Sequence, residues 1–225
     1  MSAEICDSNT EVCRQSRFLL LLVSLLGLMI LEPFLFDRTG IMFLLDIFFS
    51  VVLFSSIYAV SEKKQTALIA FLLAIPKFGS TWASSFMTHP LLQFFDSIFG
   101  IIFIAYIIVL ILFHIFRQTE VDQETIYGAI VVYILIGLMW VFLYNLTEFL
   151  HPQSFSFSQA LGSESRKALY YFSFVTLTTL GYGDITPVSD PAKSLAMLEA
   201  IVGQIYLTVL VARLVGIHIA QHMRK

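Results

Sequence analysis

Charge is what this sequence has least of. Only 13% of its 225 residues are Asp, Glu, Lys or Arg, about half the share carried by an ordinary soluble domain. Such a chain has too little polar surface to fold in water as one globular unit of this length. The net charge of −3 leaves no basic face for a nucleic-acid partner. Cysteine is scarce too. Cys6 and Cys13 sit in a polar N-terminal tail, too few for a disulfide framework and without neighbouring ligands for zinc, so they read as free thiols. There is no internal repeat and no low-complexity tract. Neither an HExxH motif nor a Ser/His/Asp set lies in the apolar segments, so no enzyme chemistry and no cofactor are expected.

What fills the chain instead is apolar: 58% of residues are hydrophobic. A membrane-spanning helix needs about 20 such residues, and six segments qualify or nearly so: Phe18–Phe36, Ile41–Val60, Thr66–Ile75, Leu91–Phe116, Ile126–Leu150 and Lys193–Ala220. The first follows Arg14 and Arg17 but is longer than a signal-peptide core and lacks a cleavage site, so it reads as a retained span. The third is the weakest. Pro76 interrupts it, which predicts a short or broken helix running into an interfacial stretch. The organisation is then a cytoplasmic tail over 1–16, a four-helix part over 17–117, a polar linker over 118–125 and a two-helix part over 126–222. Basic residues such as Arg14, Arg17, Lys63, Lys64, Arg117 and Arg213 favour both termini inside, while Arg38, Lys77, Arg166, Lys167 and Lys193 fall outside. The expectation is a multi-pass protein of the plasma (inner) membrane, in contact with lipid.

The segment between the fifth and sixth spans is of another kind. Ser163-Glu164 offers an N-cap and an acid for a first turn, and Ala168–Thr178 is aromatic and apolar but too short to cross. Gly181, Gly183 and Pro187 follow. A short helix, an extended stretch and a return to the same side describe a re-entrant loop. Non-helical backbone at that depth survives only when buried in protein or lining a water-filled path. Glycine takes positive φ without penalty, so Gly181 and Gly183 belong where the backbone must alternate in hand to aim successive carbonyls at one axis.

The run Thr178-Thr179-Leu180-Gly181-Tyr182-Gly183-Asp184, followed by Ile185-Thr186-Pro187, resembles the signature Thr-Thr-x-Gly-Tyr-Gly-Asp of tetrameric potassium channels. The resemblance extends over about Ile126 to His218, and Tyr171-Phe172 is similar to the paired aromatics that cuff the filter in that family. It implies an all-α membrane protein with six transmembrane helices, a re-entrant pore helix and a selectivity filter between the fifth and sixth, assembled as a homotetramer. It further implies that potassium is held at Thr179, Leu180, Gly181 and Tyr182, with Gly183 closing the filter, by backbone carbonyls that replace its water shell and a hydroxyl from Thr179. Leu180 and Tyr182 would point away from the axis and hold the strand against the pore helix. Non-selective relatives lose the tyrosine or the first threonine, and both are present here. Two departures stand out. Leu180 replaces the usual valine or isoleucine, and Val175 occupies a position that carries a glutamate in some members, so Asp184 needs another partner: Tyr170, Tyr171 or water.

Gly203 lies where the family's hinge glycine falls, in a last span similar to inner helices of bacterial channels of the two-helix pore family. It is expected to bend there or to allow close packing. Glu199, one turn earlier, is an acid inside a span and so a functional candidate. It is expected to bond a hydroxyl of the short helix, Thr176 by choice, and to support the filter from behind. The first four spans have the layout of a voltage-sensor domain without its charges. Leu91–Phe113 contains no lysine or arginine, His114 and Arg117 come only at its inner end, and Asp46 and Asp96 have no basic ladder to face. Voltage is not expected to act through that helix. His218 and His222, four residues apart, read as solvated helix-end histidines or as a ring of proton or metal ligands. Glu148, at the outer end of the fifth span, reads as an anchor of the outer mouth or as an attractor of cations.

Overall fold

The computed structural model describes residues 17–35, 50–52, 54–58, 64–86, 90–118, 120–157 and 165–223. Cys6, Cys13, Asp46, most of the second expected span and the Ser163-Glu164 cap lie outside them, as do the side chains of His218 and His222. The elements are α1 (Arg17–Leu35), α2 (Lys64–Phe86), α3 (Pro90–Arg117), α4 (Gln123–Leu150), β1 (Phe155–Phe157), α5 (Ser165–Leu177), β2 (Ile185–Pro187) and α6 (Asp190–Met223). Residues 50–52 and 54–58 are also helical. Among the described residues four helices, α2, α3, α4 and α6, are long and apolar enough to cross a membrane. The protein is a largely helical integral membrane protein.

One expectation fails here. α2 runs unbroken through Pro76 for 23 residues, where a short or broken helix was expected. Proline removes one helix hydrogen bond, yet in a membrane the surrounding groups keep such a helix intact. In the turn that follows, Ser80 Oγ and Thr81 Oγ1 donate to the Lys77 carbonyl at 2.9 and 3.0 Å.

The chain forms two compact units: Met1–His89 with Tyr106–Val132, and Pro90–Ala105 with Tyr133–Lys225. In the first, Leu21, Leu25 and Leu28 of α1 and Ile107, Ile111 and Ile115 of α3 are buried at spacings that place each set along one helix face. Phe18, Ile111 and Ile115 converge on Gly128 of α4, all near 3.6 Å from where a Cβ would stand. α4 opens at an unforeseen cap, three residues before the expected Ile126. Asp122 Oδ1 accepts the Thr125 amide at 2.8 Å and its hydroxyl at 2.5 Å, satisfying donors that a helix start leaves open.

The second unit surrounds α5. At 13 residues this helix is about 20 Å long, short of the roughly 30 Å hydrocarbon layer. A cluster of rings fixes it to its neighbours: Tyr144 of α4 lies 5.1 Å from Phe172 and 5.4 Å from Phe155, centroid to centroid. After the loop the chain returns as β2, antiparallel to β1 with Ser156 opposite Thr186. Ser189 then caps α6.

Candidate functional site

Every helix end leaves carbonyls without partners. At the end of α5 those carbonyls are taken by the first amides of the loop. Thr179 N donates to Thr176 O at 2.9 Å and Leu180 N to Val175 O at 2.9 Å. This paired pattern is the Schellman motif, which calls for a left-handed residue at the position that Thr179 fills. Thr179 has φ 60°, followed by Gly181 at 55° and Gly183 at 78°. Leu180 and Tyr182 keep negative φ. The backbone therefore alternates in hand at every residue from 179 to 183. Alternation turns successive peptide planes the same way, gathering amides along one side and carbonyls along the other.

The exit from the loop is tied as well. Ile185 N donates to Asp184 Oδ1 at 3.1 Å, and the Tyr171 hydroxyl bonds the same carboxylate. That bond, followed by partial loss of water and the charge of Asp184, pushes the Tyr171 pKa above its ordinary value. Of the two tyrosines considered for Asp184, Tyr171 is the one the geometry provides. Phe172, one position on, turns away from the loop and is buried with Tyr144 and Phe155, so a single aromatic of the expected pair is near the loop exit. Glu148 accepts the amides of Gln153 at 2.8 Å and Ser154 at 3.0 Å. It anchors the turn into β1 and spends its carboxylate on backbone.

Behind the loop, two rows of side chains meet. Ser173 and Leu177 lie one turn apart on α5; Glu199 and Gly203 lie one turn apart on α6. Leu177 O stands 2.6 Å from where a Cβ on Gly203 would be, so only glycine lets α6 approach there. Tyr133 of α4 donates to the same carbonyl at 3.3 Å. Glu199 is fully buried. Its Oε1 lies 2.6 Å from Ser173 Oγ, its Oε2 is bonded to the Tyr144 hydroxyl, and Ser173 Oγ is also 2.8 Å from Gly137 O on α4. The expected hydroxyl on the short helix is found, but it belongs to Ser173 instead of Thr176. Residues 173 and 177 share a face of α5, and Leu177 is the one that meets Gly203.

Sequence reasoning missed Ser173, Tyr144 and Tyr133. The available signal was three hydroxyls in apolar helices, with Ser173 and Leu177 at the same spacing as Glu199 and Gly203.

Residues 153–218 match a family model described as an ion channel. By this match the stretch is similar to an ion channel domain, which supports an ion channel. The match runs from the turn before β1 through α5, the alternating loop, β2 and most of α6, and leaves out α4, whose Tyr133 and Gly137 also hold α5. No curated protein and no solved structure matches the chain. The matched stretch leaves its loop side chains open, with Leu180 55% and Tyr182 67% exposed. Tyr182 lies close enough to Tyr171 of α5 to bear on its hydroxyl.

Proposed function

We propose that this protein is one subunit of a homotetrameric, potassium-selective channel of the plasma membrane, with both termini cytoplasmic, six spans and passive conduction. The observation that carries the reading is the alternation of backbone hand at Thr179, Gly181 and Gly183 within the run Thr-Thr-Leu-Gly-Tyr-Gly-Asp. It lines up carbonyls that four copies around an axis would turn into rings replacing the water shell of a potassium ion. The open faces of Leu180, Tyr182 and of α6, where Leu198, Ile201 and Ile205 are each more than half exposed, supply the surface that neighbouring subunits would cover. Permeant potassium is the cargo, and no other cofactor is called for.

Voltage does not act through the helix before the channel's outer helix. The only basic residues in the last turn of α3 are His114 and Arg117, and the rest of that helix has none. Moving a charge across the field is worth about 2.3 kcal/mol per 100 mV, and α3 carries no lysine or arginine ahead of its last turn.

Reversal potentials in mixed sodium and potassium across bilayers containing the purified protein test the proposal. A reversal near the potassium potential supports it, together with loss of that preference in Gly181→Ala, where a side chain meets a φ of 55°. Equal permeability to the two ions would replace it with a weakly selective cation channel. A conductance rising steeply over a few tens of millivolts would remove the voltage statement.

A further inference from the structure

The hydrogen atoms around Glu199 can be counted. Ser173 has one hydroxyl hydrogen and two oxygen neighbours within bonding distance, Glu199 Oε1 at 2.6 Å and Gly137 O at 2.8 Å. A carbonyl oxygen has no hydrogen to give. If the Ser173 hydrogen points at Gly137, the contact with Glu199 needs a hydrogen from the carboxyl. If it points at Glu199, two bare oxygens face each other at Gly137. A carboxylic acid with its hydrogen on Oε1 satisfies every contact: Glu199 donates to Ser173, Ser173 donates to Gly137, and the Tyr144 hydroxyl donates to Oε2.

Resting on the channel reading above, we infer that Glu199 is a neutral carboxylic acid whose proton ties α4, α5 and α6 together behind the selectivity filter, and that losing this proton lowers conduction. Glu199 is a positioning residue, acting through Ser173 and Leu177 on the start of the filter. When the proton leaves, the Ser173 hydrogen turns to the new carboxylate and the Gly137 link opens. Leu177, one turn along the same face of α5, is the residue whose carbonyl abuts Gly203. The groups that interact with Glu199 are hydroxyls: Tyr144 and Tyr133 from α4, and Ser173 from α5. On α6 the nearest titratable side chains are Lys193 and Tyr206, six and seven residues away. Among the described residues the groups bonded to this buried acid are hydroxyls, which favour its charged form less than a cation would.

Two measurements on the full chain in lipid test this. Infrared spectra at neutral pH should show a protonated-carboxyl C=O stretch that is absent in Glu199→Gln and shifted in Tyr144→Phe. Rubidium uptake into vesicles should fall about fivefold between roughly pH 7 and pH 10, the weight of one ordinary hydrogen bond. The conservative Glu199→Gln, which offers an amide hydrogen to Ser173, should conduct with a flat pH profile, and Glu199→Ala should lose uptake. If Glu199→Gln does not assemble, the wild-type band decides, through its Tyr144→Phe shift and its loss in step with uptake. A spectrum without a Glu199-dependent band overturns the inference even if the protein conducts. So does a pH profile that Glu199→Gln leaves unchanged. A band with no rubidium uptake at any pH keeps the proton and overturns the link to conduction together with the channel reading itself.

Discussion

The two compact units use different physics to hold their helices. In the unit built on α1 and α3, the contact around Gly128 is made by Phe18, Ile111 and Ile115 at ordinary van der Waals distances. In the unit built on α5, contacts are closer and directional: a carbonyl pressed against a glycine, three hydroxyls and a buried acid, and rings around Tyr144. Lipid tails are as apolar as leucine, so aliphatic faces gain little by finding one another in a membrane. Such faces fix neighbours loosely. Where a loop must be held to a fraction of an ångström, small-residue contacts and hydrogen bonds supply what burial alone does not. The difference marks which part of the molecule is built for precision.

The sharpest way to break that contrast is to place the same kind of change in both units. Gly203→Val drives a side chain toward the Leu177 backbone, which has no rotamer to retreat into. It should destabilise the protein by about 3 kcal/mol or more and abolish rubidium uptake, read together with the melting of the purified assembly. A second pair compares hydroxyls. Tyr144→Phe removes one of the two hydroxyl partners of Glu199 and should cost about 1–3 kcal/mol, seen as a lower melting temperature. Ser56→Ala, also buried but bonded, among the described residues, to Val52 O within its own helical turn at 2.7 Å, should change stability by no more than about 0.5 kcal/mol. The smallest effect is expected of Gly128→Ala. The new methyl meets side chains at 3.5–3.7 Å, and alanine favours a helix interior by up to about 1 kcal/mol, so melting should stay level or rise slightly. Equal losses from Gly128→Ala and Gly203→Val would erase the distinction.

The parts of this fold that were legible in the sequence are those that depend on short-range chemistry. Gly181 and Gly183 announced positive φ because no other residue adopts it freely, and both have it. The shortness of α5 follows from an apolar run that ends at Thr178. Other features depend on what arrives from elsewhere in the chain. β1 and β2 are three residues each, too brief for an alternating pattern to emerge. The identity of the partner of Glu199 depends on the register between α5 and α6, which separates Ser173 from Thr176 but leaves no trace in either helix alone. Pro76 leaves α2 continuous because neighbouring groups in a membrane can satisfy the backbone it frees, and those neighbours are not written in the segment itself. The sequence position of Glu148 is compatible with an anchor or with a cation attractor, and the amides of Gln153 and Ser154 on its carboxylate make it an anchor of the turn.

Thr179 sets two demands against each other. Its backbone adopts the hand that closes α5 and begins the alternation, which is a strain of about 1–2 kcal/mol for a branched side chain. Glycine there would relax the chain and, on the function proposed above, remove a hydroxyl oxygen offered to the permeant cation. A library selected for thermal resistance and a library selected for ion capture should therefore diverge at this codon, the first toward glycine and the second back to threonine.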